Sequence, residues 1–447
     1  MKKPRVLIIA EAANPELTSV ALIGHSLSEA LGRVCDGHLV TEKRNEESLL
    51  KAGVAQDFFT AVDNPAQSVA FHIATALRGG KSLGWTIHSA MATLAYPLFE
   101  RKVWSVFRER LMAGEFDVVH RITPLSPTSP SYLAKKLAKL GVPFLMGPIN
   151  GGIPWPPGFD QVRMAEREWL GYVRDIYRFM PGLKATRRLA SGLILASKHT
   201  YREVTEGDPA LEVKSVWLPE NAIDPARFPE IDQDPPSPIP GAPLKIAFLG
   251  RLVPYKGADM LLEAAAPWLR EGKLELEIIG DGPQMGDLKG LVEREGLGNQ
   301  VTFAGWVAHG EVRSHLAAAR VFAFPSVREF GGGVVLEAMA LGLAPVVLDY
   351  GGPAELVPEG CGVVVPIGER PQIIEGFRKA LSQLAENPQE ADAMGRRAQQ
   401  HVRAHFTWDA KARQILGLYE KLIAGRSLSE SRFDEIGPGN GWDEVGG

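Results

Sequence analysis

Two carboxylates and a run of glycines share one short stretch of this chain, VFAFPSVREFGGGVVLEAMALGLAPVVLDYGGP, from Val321 to Pro353. Val321 to Pro325 is an apolar, β-favouring run that predicts a buried strand, and Val334 to Leu343 carries the apolar face of a helix. Gly331, Gly332 and Gly333 lie between them. Glycine lets backbone N–H groups approach a ligand closely, and a helix start adds unpaired donors and partial positive charge. Such a junction suits an anion such as a phosphate. Glu329 precedes the turn and Glu337 follows it; at about 1.5 Å of rise per helical residue, they would touch different parts of one extended ligand. Either glutamate alone also reads as a solvated loop carboxylate or a first-turn residue stabilised by the helix dipole.

Basic partners for such a ligand come from GRLVPYKG, where a strand ends at Gly250 and Arg251 and Lys256 follow before the next helix. Strand, glycine and two cations again face a phosphate, each charge-assisted contact contributing about 1.5 to 3 kcal/mol. Surface solvation is the alternative for each cation alone. Their joint position at a strand's C-terminal end, the edge from which the glutamates also emerge, favours one shared site.

Positioning these residues takes two layered domains. A chain of 447 residues exceeds what one hydrophobic core supports. Strands are expected at Val6–Ala10, His38–Thr41, Phe116–His120, Pro143–Met146, Gly192–Ala196 and Ser215–Leu218, with helices at Leu17–Leu31 and Ser131–Leu140. The aromatic stretch Gly84–Leu111 reads as one or two long added helices. A second alternation follows: Ile246–Leu249, Leu274–Ile279, Val301–Ala304, Val321–Pro325, Pro345–Leu348 and Gly362–Val365. Strands alternating with helices argue for two doubly wound α/β domains. The expected division is 1–228, a proline-rich linker 229–243, 244–408, a closing helix 409–424 and a disordered polar tail 425–447. The Asp232-Gln233-Asp234 triplet sits in the linker, which offers no framework to hold a metal.

Net charge is -4, so nothing draws the chain globally to nucleic acid. Cys35 and Cys361 are far apart, without metal-ligand spacing, and such sparse usage fits a reducing cytosol. The apolar run after Pro4 ends at Glu11, too short for a signal peptide's core, and no stretch reaches the ~20 apolar residues of a membrane span. One segment, 161–190, interleaves Arg163, Arg167, Arg174, Arg178, Lys184, Arg187 and Arg188 with Trp169, Tyr172, Tyr177 and Phe179. It would suit peripheral contact with an anionic membrane or an anionic acceptor, or else form an ordinary solvated helix face.

GRLVPYKG, IIGDGP at Ile278–Pro283, VTFAGWV at Val301–Val307, FPSVREFGGGVVLEAMALGLAPVV and the GGPAE after it follow one another over roughly 150 residues. In types and order these blocks resemble the retaining family 4 glycosyltransferases, glycosyl transferases group 1. That resemblance implies a GT-B architecture, two Rossmann-like domains facing across a cleft, and sugar transfer from a nucleotide-diphosphate sugar with retention. It implies no metal and no cofactor beyond the donor. Carried over by position, Arg251 and Lys256 would stabilise the leaving diphosphate and Glu329 would face the transferred sugar. Glu337 would hold the ribose, and Gly250 with the amides from Gly331 to Val334 would complete the phosphate cradle. Backbone near Val307 would meet the base.

The N-terminal half resembles the family more loosely, with GPINGG where members commonly carry a histidine and HRITPLSPTSP as in one subgroup. Asn150 and Gly151 would line the donor–acceptor cleft, with His120 nearby. A hexosyltransferase acting in the cytoplasm on a glycan or lipid-linked acceptor, as in polysaccharide assembly, is the implied function. A non-catalytic nucleotide-sugar-binding protein and a nucleotide-sugar epimerase are the rivals.

Overall fold

The computed structural model describes residues 2–64, 83–151, 153–165, 182–229, 241–308 and 310–428. Two compact α/β units result, each with a fully parallel sheet. Among the described residues, the N-terminal unit has seven strands in the order β3-β2-β1-β4-β5-β6-β7. They run Arg5–Ala10, Asp36–Glu42, Phe59–Val62, Val118–Thr123, Phe144–Ile149, Gly192–Leu195 and Ser215–Trp217 as β1 to β7. The second unit has six in the order β10-β9-β8-β11-β12-β13. These are Leu244–Leu249, Leu274–Ile279, Val301–Gly305, Val321–Phe324, Ala344–Leu348 and Val363–Val365, numbered β8 to β13. Central strands such as VLIIA, VFAF and PVVL are apolar without alternation because helices cover both faces. Strand order reverses beside β1 and β4 in the first unit and beside β8 and β11 in the second. Ligands in open α/β sheets bind beyond the strand ends at such a point.

β3 has no counterpart among the expected strands. FTAV is a four-residue edge strand, too short for its periodicity to stand out. The stretch read as one or two helices is a single helix, Leu83–Met112, with Pro97 inside it.

The units do not follow the expected division. Ile153–Ala165 belongs to the second unit, and the helix Trp408–Ile423 to the first. Phe159 is buried in the second unit's core. The terminal helix is held to the first unit by Arg33, whose Nη2 lies 2.7 Å from Asp409, and by buried Lys411, which donates to the carbonyl of Pro219. Burial pushes the Lys411 ammonium down to about 7, with Glu220 acting to raise it. Linker residues 230–240, the centre of the basic segment at 166–181, and tail residues 429–447 lie outside the described residues, as does the Asp232–Asp234 triplet.

A buried polar knot ties the long helix to the loop after β4. Glu100 is 0% exposed and accepts from Tyr96 Oη at 2.9 Å, Ser131 Oγ at 2.8 Å, the amide of Leu133 at 3.2 Å and the amide of Tyr132. Burial raises its pKa, and the nearby Arg121 cation opposes that rise. Arg121 is itself 1% exposed, and its Nη1 donates to the Ser129 carbonyl at 3.0 Å.

Candidate active site

The loops after β8 and β11 meet because their strands are neighbours, pairing Ile246 with Val321 and Ala247 with Phe322. After β8 the chain makes a short turn over Pro254–Lys256, and Gly257, in the left-handed region at φ 76°, starts the helix Ala258–Arg270. The β11 loop zips onto this turn: Val327 N donates to the Tyr255 carbonyl at 2.9 Å. Lys256 and Glu329 then form an ion pair, their side chains 17% and 20% exposed. The ammonium also lies 5.2 Å from the centroid of Phe324. Arg251 is exposed beside the pair's loop, and among the described residues no carboxylate pairs with it.

The glycine run behaves as its spacing predicts. Gly331 and Gly332 are buried in the loop, Gly332 caps the helix Gly333–Ala340 at φ 60°, and Gly333 and Val334 present the first turn. Glu337 follows about one turn on and is half-buried. Two close backbone approaches explain why GDGP and GGP accompany the other blocks. A Cβ on Gly280 would lie 2.0 Å from the Gly250 carbonyl oxygen, and one on Gly352 would lie 2.1 Å from that of Phe330. No side chain fits at either contact. Val307, half-buried, follows β10 at the sheet's margin, two strands from β8, beside Trp306, which is 76% exposed.

Several neighbours of this site escaped the sequence reading. Asn221 stands at the helix start, its Cγ 3.4 Å from where a Gly333 Cβ would be. Arg328 lies over the Trp155 ring at 5.0 Å, and Tyr350 Oη donates to the Pro154 carbonyl at 2.7 Å. Burial raises the Tyr350 phenol's pKa, which keeps it a donor. No local pattern announced these contacts, because they join segments almost two hundred residues apart.

In the first unit, His120, Asn150 and Gly151 each make hydrogen bonds within the fold. His120 is 0% exposed, with Nε2 2.7 Å from the Gly147 carbonyl and Nδ1 2.6 Å from Tyr419 Oη. A carbonyl only accepts, so Nε2 carries the proton and Nδ1 accepts from the tyrosine. His120 therefore ties the helix Trp408–Ile423 to β5. Asn150, at the end of β5, is also buried: Nδ2 donates to Glu220 at 2.8 Å, and Oδ1 accepts from the Gly151 amide at 2.8 Å. Gly151 is half-buried, and its carbonyl accepts from Thr200 Oγ1 at 3.1 Å.

Burial pushes the His120 imidazole down from its ordinary 6.5 to about 4. The unfolded chain takes up a proton as pH falls through the ordinary value, and the folded chain does not until the lower one. The contribution is therefore complete above about pH 6.5 and declines towards pH 4, by about 3 kcal/mol in all. Urea unfolding at pH 7.5 and 4.5 should show a smaller acid loss in His120→Gln than in wild type. An identical loss in both would refute this.

Among the described residues, no group of three or more His, Cys, Asp or Glu could hold a metal ion, and no helix is long and apolar enough to cross a membrane. Comparison with known proteins places the motifs in a family. The sequence pattern of glycosyl transferases group 1 matches residues 230–401. The chain is 30% identical over 179 residues to alpha-D-kanosaminyltransferase of Streptomyces kanamyceticus, covering 40% of this chain and 45% of that protein. It is 27% identical to MMP alpha-(1->4)-mannosyltransferase of Mycolicibacterium hassiacum, over 74% of this chain and 77% of that one. The chain spans about half the length of the curated relatives it matches with at least 30% identity, such as the 45% of the kanosaminyltransferase. Among solved structures, Anabaena Alr3699/HepE in complex with UDP superposes with a TM-score of 0.58 at 18% identity, covering 94% of this chain and 100% of that chain. Residues 230–401 carry the pattern of glycosyl transferases group 1, and the two parallel α/β units have the GT-B fold.

Proposed function

We propose that this protein is a retaining, metal-independent glycosyltransferase that moves a hexose-type sugar from a nucleotide-diphosphate sugar to a glycan or lipid-linked acceptor. The observation that carries the reading is the Lys256–Glu329 pair at the strand-order reversal of the second unit, next to the helix start at Gly333. Without donor, the two side chains neutralise each other. An arriving diphosphate offers Lys256 more negative charge than one carboxylate does, and Glu329 is released to accept from sugar hydroxyls. Arg251 and the amides from Gly331 to Val334 take the remaining phosphate oxygens, and Glu337 takes the ribose. Backbone near Val307 meets the base.

As the glycosidic bond to the donor breaks, charge grows on the diphosphate, and cations already in place stabilise it without reorganisation. Cations acting at the leaving group remove the need for a metal there. The complex of Alr3699/HepE with UDP supports a nucleoside diphosphate as the donor's handle. Cytoplasmic work at a membrane face, through the basic segment 161–190, belongs to the same reading.

The test is a thermal-shift panel of nucleoside diphosphates and their sugars with and without EDTA, followed by product analysis with and without acceptor. A bound ligand raises stability with the logarithm of its concentration over its dissociation constant. The expected result is a shift indifferent to EDTA, product only with acceptor, and product loss in Glu337→Ala. Turnover of nucleotide sugar without acceptor would favour an epimerase; binding without any product would favour a non-catalytic protein.

A further inference from the structure

Between β5 and the second half of the chain runs IPWPPGF, Ile153 to Phe159, a segment that sequence order assigns to the N-terminal domain. It is built into the other unit. Ile153 is 2% exposed and reaches within 3.1 Å of where a Gly351 Cβ would stand, and Phe159 is 4% exposed in the second unit's core. Between these two anchors, Tyr350 Oη holds the Pro154 carbonyl at 2.7 Å. The strap therefore has a fixed course over the C-terminal ends of β8, β11 and β12.

Trp155 is at its centre, and its two ring contacts are specific. Its indole meets Tyr255 edge-on, with centroids 6.1 Å apart and planes at 87°, while the Arg328 guanidinium lies over its face at 5.0 Å. Tyr255 immediately precedes Lys256, and Arg328 immediately precedes Glu329. One side chain thus braces both residues next to the ion pair, from a segment outside the family's motif blocks. Phe330 takes a second side of Arg328 at 5.6 Å, which narrows that side chain's freedom further.

We propose that Trp155 is a positioning residue for the Lys256–Glu329 pair and sets the geometry in which the donor's diphosphate is bound. The proposal rests on the donor site described above. An edge-to-face ring contact and a partly desolvated cation–π contact, lost together, loosen Lys256 where the diphosphate meets it. The ribose contact assigned to Glu337 lies on the helix Gly333–Ala340, apart in sequence from Tyr255 and Arg328. The signature is therefore a selective loss: diphosphate affinity falls and monophosphate affinity does not.

Calorimetric titration of the full-length protein with UDP and UMP, and with GDP and GMP, tests this in wild type, Trp155→Ala, Trp155→Phe and Tyr350→Phe. Trp155→Ala is expected to weaken diphosphate binding about ten-fold and leave monophosphate binding within about two-fold. Trp155→Phe keeps a face for Arg328 and an edge for Tyr255, so it should recover most of the loss. Tyr350→Phe keeps every ring and deletes only the strap's hydrogen bond, and a smaller loss of the same selectivity is expected. Unchanged diphosphate affinity in Trp155→Ala, equal loss of mono- and diphosphate, or no recovery with Phe would each overturn the proposal. Wild type that binds neither diphosphate would overturn the donor site itself and this proposal with it.

Discussion

Lys256→Ala should weaken nucleoside-diphosphate binding about ten- to a hundred-fold, whereas Glu329→Ala should leave it intact or tighten it while cutting transfer about a hundred- to a thousand-fold. The opposite signs follow from the ion pair. In the unliganded protein, Glu329 competes with the donor phosphates for the one ammonium it touches. Removing Glu329 frees a cation that is already four-fifths buried and therefore well placed to gain from a diphosphate. The sugar then loses its carboxylate partner, so the cost appears in turnover. Calorimetry with the diphosphate alone and rate measurements with the full donor separate the two. Equal weakening of diphosphate binding in both variants would mean that the pair is only a structural bridge.

Glu100→Ala is expected to destabilise the first unit by about 3 to 5 kcal/mol. Two losses combine: Tyr96, Ser131 and the amides of Tyr132 and Leu133 lose their common acceptor, and Arg121 stays buried without the carboxylate that faces it. Leaving buried polar groups without partners costs far more than replacing both residues with apolar groups of similar volume. The double variant Glu100→Leu/Arg121→Met should therefore unfold at a higher urea concentration than Glu100→Ala alone. A cost below about 1 kcal/mol for Glu100→Ala would show that water already serves these donors.

Much of this was legible in the sequence. Both sheets could be read because their buried strands are unbroken apolar runs, and the donor-side loops because glycines, cations and carboxylates cluster within a few residues of strand ends. Lys256 and Glu329 were separately assigned to the diphosphate and the sugar; that they find each other depends on β8 lying beside β11, a fact of strand order that no local pattern encodes. The partners of His120 show the same dependence on distant packing. A histidine on a strand leading to the acceptor loops looks available, yet its face of the sheet is settled by which helix packs there, and that helix lies three hundred residues away. Trp155 carries no local signal of its own, and only its partners reveal its place.

The repeated passage of the chain between the two units bears on how such proteins are recombined. A gene cut in the proline-rich stretch and joined to another donor half would take away the helix Trp408–Ile423, on which His120 and Pro219 depend. It would also leave Ile153–Phe159 behind, with no Tyr350 or Arg328 of its own to meet. Among the described residues, whole units are exchanged only with junctions after residues 152, 165, 220 and 407. Under the function proposed above, shuffling of halves is thus a poor route to a new sugar, and drift within the loops of one unit is the easier one.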